Sequence, residues 1–447
     1  MSNSSNSRRS FIKKSAVGAA GLALGVSAKS YANIIGANER VNVAVIGCNR
    51  RFGGLAEPLS SMDNVNFAYV CDVDARRQKS AIEKVKEWSG RAPKGEKDLR
   101  KILDDQEIDA IFNATPDHWH APGTWMAMDA GKHVYVEKPC SHNPREGELL
   151  IALQKKYDKV VQMGTQQRSA PASREIIAEI HEGIIGEPYH TIAFYSNSRG
   201  RVPDAHKVPV PSWLDWELFQ GPAPRTDYLN ILGDYMWHWF WTWGTGETGN
   251  NATHELDISR WALQVTFPEE VRVNAGKFHF KDDPWTMYDT MDVTFMFPGG
   301  KSIRWDGKSR SGYNTYGSGR GTIIYGSEGS VSMDRDGYRL YTRSGKLVKE
   351  RFATTSEGGI ALGGGGGMTT QHIHNFLEAI RGKAKLNAPI DEGAITTHLC
   401  HYANISYKMG NKPLKIDPKT GRFTDEEVMK KHWARTYEKG WEPPQVD

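Results

Sequence analysis

The sequence predicts an α/β chain: an N-terminal Rossmann domain with a parallel sheet, then a C-terminal α+β domain built on an open, mostly antiparallel sheet. Three observations carry this. From residue 41 to 164, short apolar runs alternate with amphipathic stretches, the pattern of βαβ units. After Gly164, apolar and polar residues alternate as they do in strands with one solvated face. At 447 residues, 38% hydrophobic and 25% charged, the chain has the composition and length of two ordinary globular domains. No internal repeat is evident. These observations divide the chain at 1–32, 40–164 and 165–447.

The first segment belongs to neither domain. Arg8 and Arg9 precede the small-residue apolar run AVGAAGLALGVSA, which together form the charged and apolar regions of a twin-arginine export signal. The run is shorter than the ~20 residues a membrane-spanning helix needs. Val26-Ser27-Ala28 or Ser30-Tyr31-Ala32 supplies a cleavage site. The mature protein is therefore expected in the periplasm, with no membrane span. Cleavage after Ala32 removes five basic residues and no acid, so a formal charge of +4 becomes −1. That balance, with no interleaved basic and aromatic stripe, argues against a nucleic-acid partner.

In the Rossmann domain VNVAVIG, FAYVCD, AIFNAT, HVYVEK and VVQMG read as strands, with helices over 75–88 and 144–156. In the second domain YHTIAFYSN, VRVNAGKFHF, TMDVTFMF, TIIYGSEGSVSM and YRLYTR read as strands. Helices are predicted over 173–182, 248–263, 369–381 and 391–409, and the glycine run 363–367 as a mobile loop or linker. Cys48, Cys71, Cys140 and Cys400 lack metal-ligand spacing, so no metal site is expected. Cys48 and Cys71 fall at the ends of neighbouring strands, where a disulfide is conceivable, although buried free thiols are the preferred reading.

The cofactor signal begins where Gly47 closes the first strand and Gly53 opens the next helix. Small residues there let backbone N–H groups approach a pyrophosphate. Asn49 takes the second glycine position, where tolerance of positive φ is useful, and the third glycine is displaced by one residue, leaving Phe52 in its usual place. Asp72 ends the second strand, where an acid accepts the ribose hydroxyls and disfavours a 2′-phosphate. NAD is thus favoured over NADP, a preference that Arg76 and Arg77 soften. ATPDHWH at 114–120 and EKP at 137–139 fall at strand ends on the same sheet edge, where such sheets bind ligands. His118 and His120 do not make a zinc site, because no third and fourth ligand follows. YMWHWFWTWG at 235–244 reads as a core strand or a sugar-stacking loop. Gly233, Gly244 and Gly246 around it favour the loop, with Trp237, His238 or Trp239 against a sugar.

Taken jointly, the ATP-x-H turn, EKP, GTQQR at 164–168 and GNNATHELD at 249–257 resemble the Gfo/Idh/MocA family of NAD(P)-dependent oxidoreductases, from Val41 to near the C-terminus. The resemblance implies that Thr115, Pro116, His120, Glu137 and Gln166 join Gly47, Asn49, Gly53 and Asp72 around the cofactor. It implies that Lys138 lies beside the nicotinamide, aimed inward by Pro139, that Arg168 reaches the substrate, and that His254 is the acid/base or a substrate ligand. It also implies a homo-oligomer formed through the C-terminal sheet. An ammonium at Lys138 can stabilise alkoxide character on a substrate oxygen. The family carries an aspartate four residues before the histidine, one helical turn away. Here Asn250 stands in that place, so an imidazolium at His254 is less stabilised, and proton transfer either uses a weaker base or has moved to another group.

An exported dehydrogenase meets no pool of free cofactor, so NAD is expected to stay tightly bound and to be reset in place. Three functions follow. The first is an oxidoreductase acting on a pyranose or glycoside hydroxyl of a small carbohydrate. The second is a redox glycosidase working through a keto intermediate. The third is a non-catalytic, NAD-containing sugar-binding protein.

Overall fold

The computed structural model describes residues 39–354 and 366–446. The twin-arginine segment, its cleavage sites and Gly363 to Gly365 lie outside them. The N-terminal half comprises β1 (Val41–Ile46), α1 (Phe52–Ser61), β2 (Val65–Cys71), α2 (Ala75–Ser89), β3 (Lys94–Glu96), α3 (Leu99–Leu103), β4 (Ala110–Asn113), α4 (Asp117–Asp129), β5 (His133–Val136), α5 (Pro144–Tyr157) and β6 (Val161–Met163). Its six strands run in the order β3-β2-β1-β4-β5-β6, all parallel. The order reverses between β1 and β4, and the loops that follow these two strands open a crevice at the carboxyl edge. All five anticipated strands form. β3 was not anticipated, since it is three residues long, on the sheet edge, with no apolar side chain.

Local chemistry sets the helix ends. Asp74 caps α2 by accepting from the amides of Arg76 and Arg77, and Gly90 ends it at φ 74°. Ala81 and Val85 are its buried face.

The second half continues with α6 (Pro171–His181), β7 (Pro188–Ser198), α7 (Trp216–Gln220), α8 (Thr253–Leu263), β8 (Glu270–Gly276), β9 (Thr290–Met296), β10 (Ser302–Lys308), β11 (Arg310–Ser311), β12 (Arg320–Gly326), β13 (Gly329–Met333), β14 (Gly337–Thr342), β15 (Leu347–Phe352), α9 (Gly367–Ile380), α10 (Ile390–Lys408), β16 (Leu414–Lys415) and α11 (Glu426–His432). Its sheet runs β15-β14-β13-β12-β7-β10-β9-β8-β16, with β11 on β7. Only β7 and β10 pair in parallel; the rest is antiparallel.

Three predicted elements are corrected. The strand read through VRVNAGKFHF stops at Gly276, because the Asp289 carboxylate takes the amides of Phe278 and His279 and draws the chain out of the ladder. TIIYGSEGSVSM is a hairpin of two strands, β12 and β13. The helix read over 248–263 is a π-helical turn, Thr248–Ala252, followed by α8. Gly366 precedes α9 and Gly367 begins it, so these two glycines of the run belong to a helix start.

Late segments complete the first core. Ile373, Phe376 and Leu377 of α9 pack with Val43, Phe112 and Tyr135, and Phe376 meets Phe112 edge-on at 5.5 Å between centroids. Among the described residues no helix is long and apolar enough to cross a membrane.

Candidate active site

At the carboxyl edge of the first sheet, Gly47 has φ 92°, and a Cβ there would stand 2.3 Å from the Ala114 carbonyl oxygen. Glycine alone lets the loops after β1 and β4 come this close. α1 starts without a side-chain cap and without an acid in its first turn, so the amides around Gly53, its second residue, remain for an anion. Asp72 accepts from the Cys48 amide at 2.7 Å and from the Asp74 amide at 2.8 Å. Burial pushes its carboxyl up to about 6. Gly47, Asn49, Asp72, Thr115 and Pro116 line one cleft along this edge. A bare glycine turn, an uncapped helix start and a buried acid at the next strand end fit NAD.

Asn49 does not use positive φ; within its loop only Gly47 does. The Asn49 side chain instead accepts from Arg77 and donates to the Asp234 carbonyl at 3.1 Å. Arg76 pairs with Asp74 at 2.8 Å and lies 3.3 Å over the Trp213 ring. Arg77 pairs with Asp74 at 3.3 Å and Asp234 at 3.1 Å. Both arginines are thus engaged with protein groups.

A strap from the second half crosses this cleft. Ala75 donates to the Trp213 carbonyl at 2.9 Å and Asp215 to that of Val73 at 3.0 Å, and Leu214, Leu232, Gly233 and Trp237 form the facing wall. This placement divides the aromatic run. Trp237 lines the cofactor cleft and stacks on His238 at 3.5 Å. Trp239 is corrected from sugar contact to core, since it stacks on Trp285 at 4.0 Å and is 2% exposed.

The reacting end lies beyond β5. Glu137 is buried and accepts from Arg51 at 2.7 Å and from Gln166 at 3.1 Å. Burial would raise its carboxyl, but the Arg51 guanidinium outweighs it and holds the group below its ordinary value. Lys138 follows, joined to Pro139 by a cis bond. Its Nζ donates to the Asn250 backbone oxygen at 2.6 Å, and its pKa is lowered by burial. His120 sits under the turn with Nδ1 2.6 Å from the Pro139 oxygen, a positioning contact. His118 bonds the Phe219 carbonyl at 2.8 Å, and burial drives its pKa to about 3, so it is a neutral structural group.

Asn250 does not partner His254. It lies in the π turn, where four residues no longer bring side chains onto one α-helical face. Its Nδ2 lies 3.1 Å from the Tyr235 hydroxyl and 3.2 Å from Glu247. Tyr235 was missed as an individual residue, although it opens the aromatic run. His254 is 6% exposed and makes no hydrogen bond among the described residues. Burial first, then the charges of Arg335, Lys138, Arg320 and Arg51, holds its pKa well below the ordinary value, so the ring is neutral. These three arginines carried no sequence signal of a shared site, because they come from segments far apart in the chain.

Arg168 is corrected. It forms a buried two-point pair with Asp257, at 2.7 and 3.0 Å, inside the second half, so its guanidinium is engaged with the protein. All four cysteines are free thiols.

Two family models match the chain. The Gfo/Idh/MocA oxidoreductase family, NAD-binding Rossmann fold, covers residues 41–165, and its C-terminal alpha/beta domain covers 178–414. The uncharacterized oxidoreductase YrbE of Bacillus subtilis (strain 168) is 23% identical over 296 residues, 66% of this chain and 74% of that protein. A glycosyl hydrolase family 109 protein 2 of Shewanella sp. (strain ANA-3) is 27% identical over 207 residues, but the match takes in only 42% of this chain and 45% of that protein. Levoglucosan dehydrogenase, solved with NADH and levoglucosan, superposes with a TM-score of 0.65 at 18% identity, covering 84% of this chain and 99% of that one. With both halves matched in order and a cleft that fits the dinucleotide, the chain belongs to the Gfo/Idh/MocA family of NAD(P)-dependent oxidoreductases.

Proposed function

We propose that the protein oxidises a hydroxyl of a pyranose or glycoside with an NAD that stays bound between turnovers. The observation that carries this reading is a half-buried Lys138 ammonium, held by the Asn250 carbonyl, whose charge acts on a neutral His254 with no side-chain hydrogen bond among the described residues. NAD, when bound, supplies the hydride acceptor. Lys138 keeps one N–H group after its bonds to the Asn250 carbonyl and side chain, enough to hold the substrate oxygen and favour alkoxide character there. His254 takes the hydroxyl proton, for which a neutral imidazole is competent. The engagement of Arg76 and Arg77 with protein carboxylates supports NAD over NADP. The strap across the cleft supports retention, and the twin-arginine segment supports action in the periplasm, where retention is needed. The test is acid release of nucleotide from gel-filtered protein, followed by a panel of glycosides. Bound NADH absorbance and a ketone on an intact glycoside are expected; a nucleotide-free preparation would sink the reading.

A second reading, net glycoside cleavage, is favoured by two observations: the similarity to a protein named for glycosyl hydrolase family 109, and the Tyr235 hydroxyl beside Asn250. Once a ring hydroxyl is a ketone, the neighbouring C–H is acidic. His254, after passing the hydroxyl proton to solvent, removes that proton; the aglycone leaves with the C–O electrons and the proton of the Tyr235 hydroxyl, which burial keeps protonated; water adds across the double bond, restoring the Tyr235 proton while His254 returns one to carbon; and the ketone is reduced again. In deuterated water this route places deuterium beside the oxidised carbon and frees the aglycone, with no accumulated NADH. Plain oxidation does neither.

A further inference from the structure

A second cavity lies between the start of α5, the C-terminal end of α10 and the segment after α11, and shares no lining residue with the cofactor cleft. Three lysines or arginines (Lys408, Lys431, Arg435) and three histidines (His142, His401, His432) line it, and no aspartate or glutamate does. Five of its side-chain nitrogens are buried with no hydrogen-bond partner: His142 Nε2, Asn143 Nδ2, His432 Nε2, and Arg435 Nε and Nη1. Buried nitrogens of this kind are costly unless a partner meets them, and all five can donate, the two imidazoles in the tautomer protonated at Nε2.

The acid next to this cluster is already used. Glu146 accepts from Arg435 Nη2 at 2.8 Å, the Tyr437 hydroxyl at 2.8 Å and the His142 amide at 2.7 Å. That leaves Lys408 and Lys431, both exposed at the mouth, without a carboxylate in the lining. Lys408 Nζ rests 4.0 Å from the Trp241 ring centroid, which holds its charge at the opening. Asn143 caps α5 with its oxygen, accepting from the Glu146 amide at 3.1 Å, so its NH₂ group is spare for the cavity. The donors come from separate directions: His142 and Asn143 from the start of α5, His432 and Arg435 from the C-terminal segment, Lys408 from α10. A planar carboxylate accepts in one plane, whereas a tetrahedral oxyanion accepts on all sides.

We propose that this cavity binds a tetrahedral oxyanion, phosphate or sulfate, either free or as the monoester of a small molecule. The test is calorimetric titration of the NAD-loaded protein with inorganic phosphate, inorganic sulfate, glucose 6-phosphate and acetate at fixed ionic strength, balanced with chloride. One of the three tetrahedral probes should bind saturably at one site per chain, about tenfold or more tighter than acetate. Tightest binding by the sugar phosphate identifies an ester as the natural form, and tightest binding by an inorganic ion identifies the free anion. His142→Leu should weaken that binding about tenfold, and Lys408→Met or Lys431→Met about threefold each. The two lysine variants alter exposed side chains and keep the test decisive should His142→Leu misfold. Heat effects no larger than those of chloride, acetate binding as tightly as phosphate, or undiminished binding in Lys408→Met and Lys431→Met would each overturn the proposal.

Discussion

The cofactor cleft and the region of Lys138 and His254 treat charge in opposite ways. At the NAD end Asp72 is engaged with two backbone amides, Arg76 with Asp74, and Arg77 with Asp74 and Asp234. At the reacting end His254 has no hydrogen-bond partner among the described residues, and Lys138 has only the Asn250 side chain and carbonyl. A group already engaged is held in place before the ligand arrives, which suits binding. A group left short of partners is held ready for one that forms during the reaction, which suits catalysis.

The sharpest way to break this comparison is to remove the unengaged groups. Lys138→Ala and His254→Ala should each lower kcat by about two orders of magnitude or more while nucleotide content after gel filtration stays unchanged. Parallel loss of nucleotide would show that the reacting end also does the holding. Asp72→Asn should act the other way, weakening NAD retention by about tenfold with a smaller change in kcat, read as nucleotide lost on dialysis. The same variant carries a pH signature. Because the folded-state carboxyl is raised to about 6, Asp72 favours folding when protonated, and that contribution fades as pH rises from the unfolded value of 3.8 through about 6. Nucleotide-free Asp72→Asn should therefore gain stability over the parent at neutral pH and lose that gain in acid, measured by urea unfolding at the two pH values.

Smaller effects sharpen the picture. Trp213→Ala removes the ring under Arg76 and should speed NAD loss about threefold, with kcat preserved, as measured by exchange against labelled NAD. The smallest effect is a flat line. With His254 held neutral, kcat/KM should vary by less than about twofold from pH 6 to pH 8, and any acid limb should fall below the ordinary histidine pKa. A limb near 6.5 would mean that the ring is not shielded as the surrounding cations require.

Where the sequence was legible, it was because burial is written locally. β1, β4 and β5 are near-continuous apolar runs, and Gly47, Asp72 and Lys138 each stand at a strand end that such runs locate. What could not be read depends on partners far along the chain. Arg168 has the same local pattern whether it faces a sugar or, as it does, an aspartate 89 residues away. The strap is equally silent, because Trp213 and Leu214 meet the loop after β2 from more than a hundred positions downstream. Trp239 and Trp237 are two residues apart and equally aromatic, yet only Trp285 decides that the former is core. β15 was missed for another reason, since three consecutive charged residues, Lys349, Glu350 and Arg351, break any alternation on an exposed edge.

The turn at Thr248–Ala252 has a consequence for how this site tolerates change in chain length. A π turn is an α-helix carrying one surplus residue, so deleting any one residue from it would let the helix close up as ordinary α. Each residue of an α-helix turns the chain by about 100°, so everything ahead of the deletion would swing by roughly that angle about the helix axis while α8 stayed packed on the sheet. His254 would stay where it is, and the carbonyl that holds Lys138 would face elsewhere. A one-residue deletion in this turn would thus act like a key turned in a lock, leaving a folded protein in which His254 stays in place and Lys138 loses the carbonyl that holds it.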